Sequence, residues 1–141
     1  MAHFTVSTYV AAPPEVVFEK WTDLDRLPEW VRGVTGVTDR AGSLDEAGAR
    51  YTVRFGRMAS PTTVVEVERP HHLRTRFGNL ILKGESDTRF VPEGEGTRIQ
   101  QVISTRGLVS AIFGRIFSTG SYEGSFRGEL ERFRLLVERE R

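Results

Sequence analysis

LVSAIFGRIFSTGSYEGSFRGELERFRLLVERER, residues 108–141, is the stretch that decides the fold, because it alone carries sustained helical periodicity. Starting at Ile112, side chains recur at three- and four-residue steps: Ile116, Thr119, Tyr122, Phe126, Leu130, Phe133 and Val137. That spacing marks one face of a helix. The charged remainder of its last half, Glu129, Glu131, Arg132, Arg134, Glu138 and Arg139, is expected to face water, with Glu123 one turn before Arg127. Gly120, Gly124 and Gly128 interrupt the pattern every fourth residue. Each costs about 1 kcal/mol against alanine inside a helix, so close approach of another group, or a bend, is expected there. Residues 108–117 are apolar over a wider arc, since Phe113 and Phe117 leave the main stripe. A second surface is needed to bury that arc: sheet on one side, and a bound apolar molecule, a lid or another chain on the other.

Upstream of the helix the period changes to two. Tyr51, Val53 and Phe55 alternate with Arg50, Thr52 and Arg54; Thr63, Val65 and Val67 alternate with Glu66 and Glu68; Leu73, Thr75 and Phe77 alternate with Arg74 and Arg76. Each run predicts a strand with one buried and one wet face. Residues 34–40 read as a weaker strand, and residues 84–91 and 97–105 as a final pair joined by Pro92-Glu93-Gly94-Glu95-Gly96. Before them all, Phe4, Val6, Thr8 and Val10 alternate as a first strand. Two short helices follow it. Pro14 suits the first turn of one over residues 15–21, and Asp23 is placed to cap another containing Leu24, Leu27 and Trp30.

Six or seven antiparallel strands in a meander leave one apolar face, and only the C-terminal helix is long enough to cover it. The fold class expected is therefore α+β, a curved sheet wrapped around a long C-terminal helix. With 141 residues the whole chain, 1–141, is expected to be one domain. Twenty basic and nineteen acidic residues are interspersed rather than blocked, which leaves no electrostatic footprint for nucleic acid. The absence of cysteine excludes disulfides and thiolate metal sites. No apolar run approaches the roughly 20 residues of a membrane span, and the first ten alternate like a strand rather than a signal peptide. A soluble, cytoplasmic protein is expected.

Residues 8–18, TYVAAPPEVVF, with residues 21–30, WTDLDRLPEW, resemble the opening of the START-like, polyketide cyclase/dehydrase-like (SRPBCC) superfamily. Residues 92–99, PEGEGTRI, resemble its penultimate turn. The resemblance runs through the whole chain in element order. It implies a helix-grip fold enclosing a pocket for a lipid, polyketide, quinone or other apolar small molecule, and it does not choose among the binding proteins, aromatase/cyclases and chaperone activators that share the fold.

The residues themselves carry little catalytic signal. Trp21 and Trp30 are expected to pin the short helices to the sheet, and His71 and His72 to lie in a solvated turn after Arg69-Pro70, with no metal or acid/base partner. Gly120-Ser121-Tyr122-Glu123-Gly124 only grazes a nucleophile elbow and has no strand before it. No catalytic residue, metal or cofactor is assigned. The candidate ligand-binding wall consists of Tyr51, Val53, Phe55, Val65, Phe77, Phe90, Ile103, Phe113, Phe117 and Tyr122, with Gln101, Ser86 and Thr88 giving polarity. A binding domain for an apolar molecule is the first reading. A cyclase/dehydratase-type enzyme is the second, and it requires a buried ionisable group with a shifted pKa that the sequence does not display. The third places a homodimer contact or a transient membrane contact for lipid transfer at residues 108–117. Inward assignments at residues 84–105 depend on register, since a slip of one residue exchanges the faces.

Overall fold

The computed structural model describes residues 2–78, 83–106 and 119–140, the side chains of residues 2, 106 and 119–123 excepted. Seven strands form one antiparallel sheet: β1 (Ala2–Val10), β2 (Gly36–Ala41), β3 (Arg50–Phe55), β4 (Met58–Glu68), β5 (His72–Gly78), β6 (Lys83–Glu93) and β7 (Gly96–Arg106). Their order is β1-β7-β6-β5-β4-β3-β2. Strands β2 to β7 thus follow one another as a meander, and β1 joins the far side of β7. Helix α1 (Pro14–Trp21) and a 3-10 helix (Leu24–Glu29) separate β1 from β2, and helix α2 (Thr119–Arg139) closes the chain. This is the helix-grip arrangement.

Register follows the alternation except at one place. Gly84, Ser86, Thr88 and Phe90 of β6 pair with Thr105, Ile103, Gln101 and Ile99 of β7, so the inward faces at residues 84–105 are those expected. In β4 the pairing shifts between Val64 and Glu66: Val64 lies opposite Thr75, Glu66 opposite Arg74 and Val67 opposite Leu73. Val65 is the extra residue of a β-bulge, and the inward pair before it is Thr62 and Val64 rather than Thr63 and Val65. Such a bulge bends its strand and increases the local twist, which serves a curved sheet.

The core lies between sheet and α2, where Leu130, Phe133, Leu136 and Val137 pack with Val6, Phe18, Phe90, Ile99 and Ile103. These helix positions are three or four apart, as one buried stripe demands. The end of α2 is tied down by polar contacts. Glu138 Oε2 accepts from the Ala11 amide at 2.9 Å, and Glu140 receives both Lys20 Nζ at 2.7 Å and the Arg26 guanidinium at 2.6 Å. Thr97 Oγ1 donates to the Ala12 carbonyl at 2.7 Å, wholly buried. The two short helices are therefore held against the same end of α2. Asp23 makes no capping hydrogen bond, and the residues after it wind as a 3-10 helix with Pro28 inside.

At two of the three α2 glycines the close approach allowed by the sequence is not found, and the surroundings of Gly120 lie outside the described residues. A Cβ at Gly124 would meet nothing within 4 Å, and one at Gly128 would meet only the head of Arg132, at 3.3 Å. No backbone approaches at either position. Close approach occurs instead in the sheet, at Gly84, where a Cβ would lie 2.5 Å from Phe77 Cζ and 2.8 Å from the Ser104 carbonyl oxygen.

Candidate functional site

Packing stops short of filling the space between sheet and helix. A cavity of about 210 Å³ remains, walled by β3 to β7 on one side and by Trp21, the 3-10 helix and α2 on the other. Its surface is chiefly apolar. Phe55 both lines it and is 38% exposed, which places that side chain at the mouth.

Seven of the wall residues expected from the sequence border the cavity: Tyr51, Val53, Phe55, Phe77, Ser86, Thr88 and Gln101. Val65 does not, because the bulge rotates it out of the inward row. Phe90 and Ile103 are on the inward face but sit in the packed core instead. Phe90 meets Phe18 and Trp21 edge-on, each at 5.6 Å between ring centroids, so α1 covers it. Ile103 lies opposite Phe4, whose ring meets Phe126 at 5.5 Å, and side chains close that part of the sheet. Phe113, Phe117 and the side chain of Tyr122 fall outside the described residues, as does the apolar arc at 108–117.

The helices contribute more wall than their sequence suggested. Trp21, Leu24, Leu27, Trp30 and Val31 line the cavity, with Phe126 and Glu129 from α2 and Ser60, Thr62, Leu73 and Thr75 from the sheet. Trp21 and Trp30 do pin the helices, stacking on each other and on Phe133, yet the same rings face the empty space. Glu129, expected on the wet side of the helix, borders the cavity instead. It lies three residues after Phe126 and four before Phe133, at the edge of the inward stripe. That spacing was the available signal.

The polar groups of the cavity divide into two kinds. On the sheet, Gln101 Nε2 donates to Ser86 Oγ at 2.9 Å, and Ser86 Oγ pairs with Thr88 Oγ1 at 3.3 Å. These satisfy one another. On the helical side, and among the described residues, Glu129 has no hydrogen bond, and the Trp30 indole N–H, closed off from the cavity, has no acceptor. Burial pushes the Glu129 carboxyl up to about 7, against the opposing pull of the Arg132 charge one turn along. Arg132 Nε also donates to the Trp30 carbonyl at 3.0 Å. Burial alone pushes the Tyr51 phenol up to about 12, which keeps it a neutral donor.

The histidine pair is also corrected in part. His71 lies in the turn and is exposed, as expected, but His72 is 6% exposed on the outer face of the sheet, with Nε2 2.8 Å from Asp87 Oδ1. Its neighbours Leu73 and Thr88 point the other way, into the cavity, so the pair faces away from the site. Among the described residues no group of three or more His, Asp or Glu side chains is placed to hold a metal ion, and no helix is long and apolar enough to cross a membrane.

A helix-grip protein with an apolar-walled internal cavity is the class these features define. The chain belongs to the polyketide cyclase/dehydrase and lipid transport family, whose model matches residues 1–138. Its fold is similar to that of protein MLL2253 from Mesorhizobium loti, with a TM-score of 0.77, 15% identity and 97% of each chain covered. It is similar also to TTHA0849 from Thermus thermophilus, with a TM-score of 0.75, 19% identity and 98% of each chain covered. DynU16, a protein of the dynemicin biosynthetic locus, matches with a TM-score of 0.75 and 19% identity over 98% of this chain and 48% of its own. No curated protein matches the sequence.

Proposed function

We propose that this protein binds an apolar small molecule of one or two rings in the cavity between sheet and C-terminal helix. The observation that carries the reading is a cavity of about 210 Å³ bordered by both tryptophans, Tyr51, Phe55, Phe77 and Phe126. An aromatic wall of this kind favours flat, apolar molecules. Affinity would come from apolar area removed from water, about 25 cal/mol per Å², less the cost of ordering. Membership of a family described as polyketide cyclase/dehydrase and lipid transport supports the same ligand range.

A second reading is acid/base catalysis of the cyclase/dehydratase type on such a ligand. The carboxyl of Glu129 favours it, because a group poised near neutral pH inside an apolar cavity can both give and take a proton. Native mass spectrometry of the purified protein, followed by solvent extraction, tests the binding reading. A stoichiometric apolar compound supports it. An apo mass, together with no thermal shift across a panel of lipids, quinones and polycyclic aromatics, overturns it.

A further inference from the structure

The two walls of the cavity differ in kind. Its helical side is chiefly Trp21, Leu24, Leu27, Trp30 and Phe126, and the Thr22 hydroxyl there is already given to the Phe18 carbonyl at 2.8 Å. On the sheet, four polar residues adjoin. Thr75 of β5 lies opposite Ser86 of β6, and Thr88 of β6 lies opposite Gln101 of β7. The inward positions beside them hold Val64, Leu73 and Ile103, so polar residues stand here where packing alone would take valine or leucine. Gln101, Ser86 and Thr88 bond to one another, which fixes their positions. Thr75 is 8% exposed, and its hydroxyl has no partner among the described residues. Unlike the Trp30 N–H, it is not sealed off from the cavity that it borders. The Tyr51 phenol, also on the sheet, is likewise unpaired and open. Buried polar groups are nearly always matched, and the group that matches Thr75 is not in the wall.

We propose that the cavity takes a neutral ring compound with its oxygen on the hydroxyl patch of Thr75 and Ser86 and its carbon face under the two tryptophans, and that it rejects the matching carboxylate. The inference rests on the binding reading above. A threonine hydroxyl donates or accepts as its partner requires, so the patch accommodates a ketone or a hydroxyl. A carboxylate makes a different demand. Taken into an apolar space it needs a cation, because a charge left unpaired there costs far more than an unpaired hydroxyl. No Lys, Arg or His side chain is among the described residues that line the cavity, and the acidic one that does, Glu129, would repel a second carboxylate. Burial keeps the Tyr51 phenol neutral, so it too offers a hydrogen bond rather than a charge.

The test is calorimetric titration of the whole protein, at about pH 7.5, with 2-acetylnaphthalene, naphthalene and 2-naphthoate. Naphthalene lacks the oxygen, and naphthoate has nearly the ketone's shape but carries a charge. The ketone is expected to bind about tenfold tighter than naphthalene, as one net hydrogen bond provides. It is expected to bind about a hundredfold tighter than naphthoate. Thr75→Val removes the hydroxyl and keeps the shape, and should cut the first preference to about twofold. Ser86→Ala should act in the same direction. Cooperative thermal unfolding certifies that each variant is folded, and the three titrations of the natural protein need no variant. Equal affinity for ketone and naphthalene in the natural protein, or an undiminished preference in both folded variants, would overturn the patch as the seat of the oxygen. Naphthoate binding as tightly as the ketone would overturn the choice of a neutral ligand. Each of these results leaves the binding reading standing, because a ring compound still binds. Failure of all three compounds to bind the natural protein would overturn both.

Discussion

Trp21 and Trp30 lie with ring centroids 4.8 Å apart and planes inclined at 42°, and each meets the ring of Phe133 edge-on at 5.0 Å. They are the only tryptophans in the chain, and both border the cavity. One aromatic cluster therefore reports on the site. Saturation with 2-acetylnaphthalene is expected to quench tryptophan emission strongly and stoichiometrically. Saturation established by calorimetry with no change in the emission would place the compound somewhere other than this cavity.

Phe133 is the support beneath that cluster, fully buried and shared by both indoles. Phe133→Ala is expected to cost about 3–5 kcal/mol, from lost burial plus the void left behind. The urea midpoint should fall with an unchanged slope. A loss below about 1 kcal/mol would mean that the helix settles into the gap and that the cluster is not rigid.

Glu129 makes stability depend on pH. Its folded pKa, about 7, is raised above the usual carboxylate value by burial, so the folded state holds a proton that the unfolded chain releases. The associated stability is complete below the unfolded value of about 4.5 and declines as pH rises through 7. Glu129→Gln should flatten this slope and, at pH 8, stabilise the protein by about 1–3 kcal/mol. Urea melts at pH 5 and pH 8 measure it, and an unaltered pH slope in the variant would show that the carboxyl reaches water.

Two glycine substitutions should act in opposite directions. Gly124→Ala lies on an exposed turn of α2 with open space where the Cβ goes, and is expected to stabilise by about 0.5–1 kcal/mol through helix propensity. Gly84→Ala would drive a methyl against Phe77 and the Ser104 carbonyl, costing about 1–3 kcal/mol. Because Phe77 is part of the cavity wall, the second change should also shift the affinity for 2-acetylnaphthalene, whereas the first should not. Thermal denaturation and titration of both variants would check the pair.

Much of the architecture was legible in the chain. Period-two runs such as Tyr51, Val53 and Phe55 placed the strands and their inward faces, because each side chain on a pleated strand has one of two directions. The stripe Phe126, Leu130, Phe133 and Val137 marked the inward side of α2 for the corresponding helical reason. Val65 escaped that logic. A bulge inserts one residue into an otherwise regular count, and it is set by how β4 must bend across β5, a property of the paired strands rather than of either sequence.

The site itself was divided in the same way. Local pattern alone determined that Gln101, Ser86 and Thr88 share the sheet's inner face, since register along neighbouring strands follows from alternation and turns. Only the tertiary structure decided that these three satisfy one another while Trp30 and Glu129 are left unpaired among the described residues. Hydrogen-bond saturation depends on distances between residues about a hundred positions apart, as between Arg132 and the Trp30 carbonyl, and periodicity carries no such information. The same holds for the carboxyl of Glu129. Its charge is written in the sequence, but the burial that raises its pKa exists only once the sheet closes over the helix.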